Sequence, residues 1–226
     1  MDYALSKYCI IMPVHNEAKT INGLLEQIKL EAGCDVIVID DGSSDGSGEK
    51  ARQCGAHVIT NKVKSGKGYS LREGFKYALT NGYRGVITMD GDGQHLPKDL
   101  NCFLNFPKIS SSCVIVGNRM NDTAKMPVIR RWTNQFMSSI ISLAAGQTIT
   151  DSQCGLRFIG SDVLNNVHLN CTGFEIESEI LMKASKEKFL IYTVDIHTVY
   201  QDEVSKINPL RDTLRFFTYF FKELFS

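Results

Sequence analysis

Short apolar runs alternate with amphipathic segments along the first half of the chain. Tyr8 to Val14 reads as a buried strand, and Glu17 to Glu31 as a helix with Ile21, Leu24, Leu25 and Ile28 on one face. Asp35 to Ile39 predicts a second strand. It ends in the turn Asp40-Asp41-Gly42-Ser43-Ser44-Asp45-Gly46, where Ser43 or Ser44 is placed to cap a short helix. A strand at Ala56 to Thr60, a helix through Leu71, Phe75 and Leu79, and a strand at Arg84 to Met89 follow. Strands and helices alternating at this spacing predict an α/β fold, a doubly wound and mostly parallel sheet with helices on both faces. Ligands of such sheets bind beyond the carboxyl ends of the strands, where the acidic turns of this chain fall.

The second half is less regular. Ser112 to Val116 predicts a strand. Pro127 to Ala145 predicts a long helix that opens on proline and stops at Gly146. The expected buried side of that helix runs through Ile129, Trp132, Phe136, Ile140 and Leu143. Leu190 to Tyr200 alternates like a half-exposed strand. Pro209 to Phe225 predicts a last helix, with Phe216, Phe217, Phe220, Phe221 and Phe225 beside Arg211, Arg215 and Lys222. An aromatic face flanked by cations suits either a membrane interface or packing on the core or a second copy. Without a repeat or linker, residues 1–226 read as one domain.

Composition narrows the function classes. Lys plus Arg equals Asp plus Glu, 25 against 25, so no overall field draws nucleic acid. Seven cysteines lie scattered without CxxC spacing, which reads as reduced thiols in the cytosol. The histidines do not cluster with them, which argues against zinc. The apolar run at 9–14 is too short for a signal peptide, and no stretch reaches the ~20 apolar residues of a membrane span. A cytoplasmic protein that meets any membrane from the side is expected.

The chemistry concentrates in three turns. Asp90-Gly91-Asp92-Gly93-Gln94-His95 follows an apolar strand, and two carboxylates with an amide oxygen make a hard-oxygen half-shell for Mg²⁺ or Mn²⁺. Diphosphate oxygens and water would complete it; an ordinary Asp-Gly turn is the structural alternative. Asp41 can accept hydrogen bonds from a base or ribose, or belong simply to a strand–helix turn. Gly66-Lys67-Gly68 is a flexible basic loop able to meet phosphate, although no P-loop pattern surrounds it.

Taken together, Pro13-Val14-His15-Asn16-Glu17, Asp40 to Asp45, Gly66-Lys67-Gly68, Asp90 to His95 and Gly117-Asn118-Arg119 resemble the family-two glycosyltransferases of the GT-A fold. Asp151-Ser152-Gln153-Cys154-Gly155-Leu156-Arg157, Phe174-Glu175-Ile176-Glu177 and Ser205-Lys206-Ile207 resemble its dolichyl- and polyprenyl-phosphate sugar synthases. The resemblance implies a Rossmann-like nucleotide-sugar-binding half at 1–119, an acceptor half at 120–207 and the amphipathic helix at 208–226. It implies that Pro13, His15, Glu17, Ile39 and Asp41 meet the nucleoside of a GDP- or UDP-sugar. By the same resemblance Asp90, Asp92 and Gln94 hold a divalent metal on the donor diphosphate, and Arg119 contacts phosphate. Lys67 is a further cation for the donor. Transfer with inversion is implied.

The acceptor decides whether a base is needed. A hydroxyl must lose a proton, whereas a lipid monophosphate needs only positioning. Asp151 is the first candidate base, with Glu175 and Glu177 behind it; their i, i+2 spacing turns only one of the two toward a site if the segment is helical. Arg131 and Lys206 are the residues placed for an acceptor phosphate. Gln201-Asp202-Glu203-Val204 depart from the family's usual Arg and Gly before the Ser-Lys pair, which leaves fewer cations there. A polyprenyl-phosphate acceptor is therefore expected first, and a hydroxyl of a glycan or glycolipid second. A nucleotidyltransferase is disfavoured because its Gly-rich loop should follow the first strand; a non-enzymatic sugar- or nucleotide-binding module is the remaining class.

Overall fold

The apolar runs of the first half become β1 (Cys9–Val14), β2 (Asp35–Asp40), β3 (His57–Thr60) and β4 (Gly85–Thr88). Between them lie α1 (Ile21–Glu31), α2 (Ser47–Gln53) and α3 (Lys67–Thr80). A 3-10 turn at Pro97–Asp99 leads into α4 (Leu100–Leu104), β5 (Cys113–Asn118) and α5 (Val128–Ala145). Then come β6 (Arg157–Gly160), α6 (Ser161–Asn166), α7 (Ile176–Lys186), β7 (Leu190–Asp195) and α8 (Pro209–Leu224). The computed structural model describes residues 7–121, 123, 126–197 and 209–224.

Among these residues one seven-stranded sheet has the order β3-β2-β1-β4-β6-β5-β7. Parallel pairing aligns Val14 with Asp40 and Ile11 with Thr88, so β1, β2 and β4 end at the same edge. Ile10, Ile11, Met12, Val38, Ile39, Val86 and Ile87 are all wholly buried, because helices cover both faces and leave no solvent side to alternate with.

β6 is the exception, antiparallel to both β4 and β5. Its first residue, Arg157, pairs with Thr88 and with Val116, near the carboxyl ends of those strands. The reversal therefore carries the 151–156 turn to the edge where the acidic turns sit. The Thr88 hydroxyl donates to the Gly155 carbonyl at 2.7 Å and fastens the two together.

Several expectations are corrected. α1 begins at Ile21, not Glu17: residues 17–20 form a turn, closed by the Thr20 amide on the Glu17 carbonyl at 3.1 Å, whose Glu17 and Ala18 amides donate to Ser47 Oγ and Asp45 Oδ2. Neither Ser43 nor Ser44 caps α2; its N-cap is Gly46 with no side-chain bond. β6, only four residues long and opening on Arg157, is too short to be read as a strand from sequence. α7 hides because it is buried almost all round, Glu177 and Glu179 included, so it shows no amphipathic pattern.

α5 is rotated away from its expected orientation. Ile129, Trp132, Phe136 and Leu143 are 82%, 66%, 59% and 86% exposed, while Asn134, Ser138 and Ile141 are buried. Hydrogen bonds decide the rotation. Asn134 Nδ2 donates to Asp151 Oδ1 at 3.2 Å, and the Ser152 amide donates to Ser138 Oγ at 2.8 Å. Those partners lie inside the protein; with the apolar stripe facing inward the Ser152 amide would lose its acceptor and Asp151 one of its donors.

The α8 face divides. Phe216 and Phe220 are buried in the core, Phe217 packs against it, and Phe221 is exposed. Among the described residues no helix is long and apolar enough to cross a membrane. All seven cysteines are unpaired.

Candidate active site

Two loops at the strand edge are laced together. The Asn16 amide donates to Ser43 Oγ at 3.0 Å, and the Ser44 amide returns a bond to Asn16 Oδ1 at 2.9 Å. Asn16 takes a positive φ of 56°, which asparagine tolerates better than most residues. His15 Nδ1 lies 2.9 Å from the Asp41 carbonyl, and since a carbonyl only accepts, the proton sits on Nδ1. The Asp41 carboxylate accepts from Asn61 Nδ2 at 2.9 Å and from the Ser65 and Gly66 amides, each at 2.8 Å. Three of its roughly four acceptor positions thus hold the loop that leads to Lys67. Pro13 and Glu17 are half-buried beside these turns. Ile39, expected at the nucleoside, is wholly buried; its side chain packs toward Gly74 of α3, since alternation along β2 points it into the core.

Lys67 forms the centre of the site. Its Nζ lies 2.8 Å from Asp90 Oδ2, 2.7 Å from Asp90 Oδ1 and 2.7 Å from Glu177 Oε1. Burial works to lower its pKa, but Asp90 and Glu177 outweigh that and raise it, so the ammonium stays charged. Asp90 is held below the ordinary carboxylate range: burial opposes this, and the charge and hydrogen bond of Lys67 overcome it. Asp92 goes the other way. Burial, and then the charge of Asp90, push its carboxyl up to about 6.

Close packing frames these groups. A Cβ on Gly68 would lie 2.6 Å from the Cys171 carbonyl oxygen, and the Gly68 amide donates to Thr172 O at 2.9 Å. Only glycine lets the two backbones meet there. At Gly155 a Cβ would lie 2.6 Å from Asp90 Oδ2 and 3.1 Å from Lys67 Nζ. His95 is buried and its Nδ1 has no hydrogen-bond partner. Burial and the nearby Arg119 charge lower its pKa to about 4, so the ring is neutral.

Arg119 and Asp151 form a second, deeper unit. Arg119 Nε and Nη2 reach Asp151 Oδ2 and Oδ1 at 2.7 and 2.8 Å, and the Arg119 amide adds a bond at 3.2 Å. Asp151 is wholly buried and Arg119 4% exposed. Burial would raise the Asp151 pKa, but Arg119 overrides it and lowers it. Asp151, the first candidate base, is thus clamped to Arg119, and both its oxygens accept hydrogen bonds from inside the protein. Glu177 is likewise tied to Lys67. Glu175 Oε1 accepts from the Gly173 amide at 3.1 Å, while its Oε2 is buried without a hydrogen-bond partner. Arg131 is half-buried in the first turn of α5, one turn before Asn134. Lys206 lies outside the described residues.

Sequence reading did not single out Arg157. Its Nε donates to Cys154 O at 2.6 Å, Nη2 to Ser152 O at 2.7 Å, and Nη1 to Glu177 O, so one buried guanidinium ties the 151–156 turn to α7. The available signal was a cation inside the apolar run Leu156 to Ile159. The Lys67–Glu177 pair, 110 residues apart, carried no local signal.

Asp90, Asp92 and Gln94 share one turn, all part-buried. Two carboxylates of one turn, Asp92 with its pKa raised by burial and then by Asp90, make with Gln94 an oxygen donor set that fits a hard divalent cation. Among the described residues no group of three His, Cys, Asp or Glu gathers to hold a metal unaided. A cation held there would need oxygens from a ligand as well.

The comparisons agree with this geometry. The family model described as Glycosyl transferase family 2 matches residues 9–167. An uncharacterized protein of Methanocaldococcus jannaschii, MJ1222, is 32% identical over 198 residues, covering 85% of this chain and 82% of its own. The UDP-N-acetylglucosamine–dolichyl-phosphate N-acetylglucosaminyltransferase of Methanococcus voltae is 28% identical, covering 85% and 86%. Glucosyl-3-phosphoglycerate synthase from Mycobacterium tuberculosis, crystallised with Mn²⁺, UDP and phosphoglyceric acid, shares the fold at a TM-score of 0.70 and 16% identity, covering 96% of this chain and 76% of its own. With the GT-A sheet, the laced acidic turns and this family match in agreement, the chain belongs to glycosyl transferase family 2 and is a glycosyltransferase.

Proposed function

We propose that the protein transfers a sugar, with inversion, from a nucleoside-diphosphate sugar to a polyprenyl phosphate. The observation that carries the acceptor assignment is the state of the carboxylates. Asp151 is clamped to Arg119 and Glu177 to Lys67, so two of the three candidate bases, the first among them, are ion-paired. An anionic phosphate acceptor needs no proton removed, only positioning. The dolichyl-phosphate transferase among the relatives supports the same class.

In this reading the loops at 13–17 and 41–47 receive the nucleoside, and Asp41 keeps the Gly66 loop in place beneath it. Asp90, Asp92 and Gln94 would hold Mg²⁺ or Mn²⁺, which neutralises the diphosphate as a Lewis acid when bound. Lys67 keeps a fixed positive charge beside Asp90. Arg131 and Lys206 orient the acceptor phosphate. One acceptor oxygen attacks the anomeric carbon, the bond to the diphosphate breaks with its electron pair, and nucleoside diphosphate leaves. No proton has to move.

Purified protein with Mn²⁺, a panel of GDP- and UDP-sugars and a short-chain, water-soluble prenyl phosphate tests this. A glycosyl-phosphate-prenol product is expected, with soluble hydroxyl acceptors ignored. Efficient glycosylation of a hydroxyl acceptor with prenyl phosphate untouched would assign the other acceptor class.

A further inference from the structure

Five of the nine large hydrophobic side chains exposed among the described residues lie on α5: Val128, Ile129, Trp132, Phe136 and Leu143. At helical spacing they fall on one stripe, running most of the ~27 Å length of an 18-residue helix. The opposite face presents Asn134 and Ser138 to Asp151 and Ser152. One helix therefore carries the site's clamp on one side and an unpartnered apolar face on the other. Such a face is uncommon on a protein that meets only water.

Charge identifies what covers it. α5 contains Arg130 and Arg131 in its first turn and no Asp or Glu anywhere along its 18 residues. An aromatic and aliphatic stripe with a tryptophan, flanked by cations and free of carboxylates, matches an anionic lipid surface. α8, whose aromatic face suits either a membrane interface or core packing from sequence, has committed Phe216 and Phe220 to the core.

We propose that the outer face of α5 is the membrane-docking surface of this protein, lying in the headgroup boundary of an anionic bilayer. The inference rests on the lipid-phosphate acceptor reading and deepens it. A prenyl phosphate presents its headgroup at the bilayer surface, and a helix lying there keeps the Arg119–Asp151 unit one helix diameter from that plane.

Trp132 is the only tryptophan in the chain, so it reports on this face directly. The full chain is mixed with vesicles of phosphatidylcholine, with and without phosphatidylglycerol. With the anionic vesicles, Trp132 emission should shift to the blue and be quenched by brominated lipid, and the protein should float with the vesicles. The double variant Trp132→Ser/Phe136→Ser removes only exposed side chains, so its circular dichroism and melting should match wild type. Its vesicle partition, followed by flotation, should fall about tenfold or more.

Emission unchanged by vesicles, or flotation unaffected in the double variant, overturns the proposal. So does a Trp132 already shielded from acrylamide in a dimer without lipid, which would make a second copy the occupant. Transfer to the soluble prenyl phosphate, measured without vesicles, separates the two readings. Transfer without lipid insertion defeats the docking surface alone; insertion with no prenyl phosphate used defeats the acceptor assignment and leaves the surface standing.

Discussion

Replacing Asp151 by asparagine separates a clamp from a general base. In the wild type the carboxylate, wholly buried, takes three bonds from Arg119 and further ones from Asn134 Nδ2 at 3.2 Å and the Gln153 amide at 3.3 Å. Asparagine takes from the buried Arg119 guanidinium the counter-charge that Asp151 supplies. Breaking a buried pair from one side costs about 3–5 kcal/mol. That is a large share of the roughly 5–15 kcal/mol that holds a domain folded. At roughly 2–4 °C per kcal/mol for a chain of this size, the melting temperature should fall by about 6–20 °C.

The pH dependence has a definite sign. Asp151 has a lowered folded pKa, set by Arg119 against burial, so its stabilisation is complete above the unfolded value near ~4 and lost as pH falls through the folded one. The gap between variant and wild type in urea melts should therefore close on acidification. Adding Arg119→Met to the variant should restore part of the lost stability by removing the orphaned charge. A general base behaves otherwise, with kcat down ~10²–10⁴-fold and little change in stability. Asp151→Asn melting within about 1 kcal/mol of wild type, with transfer reduced on that scale, would refute the clamp.

Two further outcomes follow from the Lys67 cluster. Asp92→Asn should remove the Mn²⁺-dependent part of nucleotide binding in calorimetry, and in the wild type that part should weaken as pH falls through about 6, because a metal ligand must be deprotonated. The same raised pKa means that metal-free protein loses stability as pH climbs from near 4 toward 6; metal dependence unaltered in the variant would contradict the assignment. Gly155→Ala places a methyl 2.6 Å from Asp90 Oδ2 and 3.1 Å from Lys67 Nζ, both ends of side chains that can yield. Melting should hardly change while transfer drops about tenfold or more, and an unaltered kcat would put the Lys67–Asp90–Glu177 network away from the reacting centre.

The sequence by itself determined what repeats locally. Buried parallel strands read as apolar runs, α1 and α3 as 3.6-residue stripes, and the acidic turns stand out because Asp and Gly gather only where strands end. The family followed from several such turns in order. Tertiary structure alone decided what depends on partners distant in the chain. It turned β6 antiparallel, which carried Asp151 and Gly155 to the site. It joined Lys67 to Glu177 across 110 residues and gave Asp151 to Arg119. It rotated α5 against its own hydrophobic pattern. Periodicity records which side chains resemble one another, but not where their hydrogen-bond partners will be. Asn134 and Ser138 had buried partners to satisfy in Asp151 and Ser152, and the apolar stripe, needing none, was left on the outside.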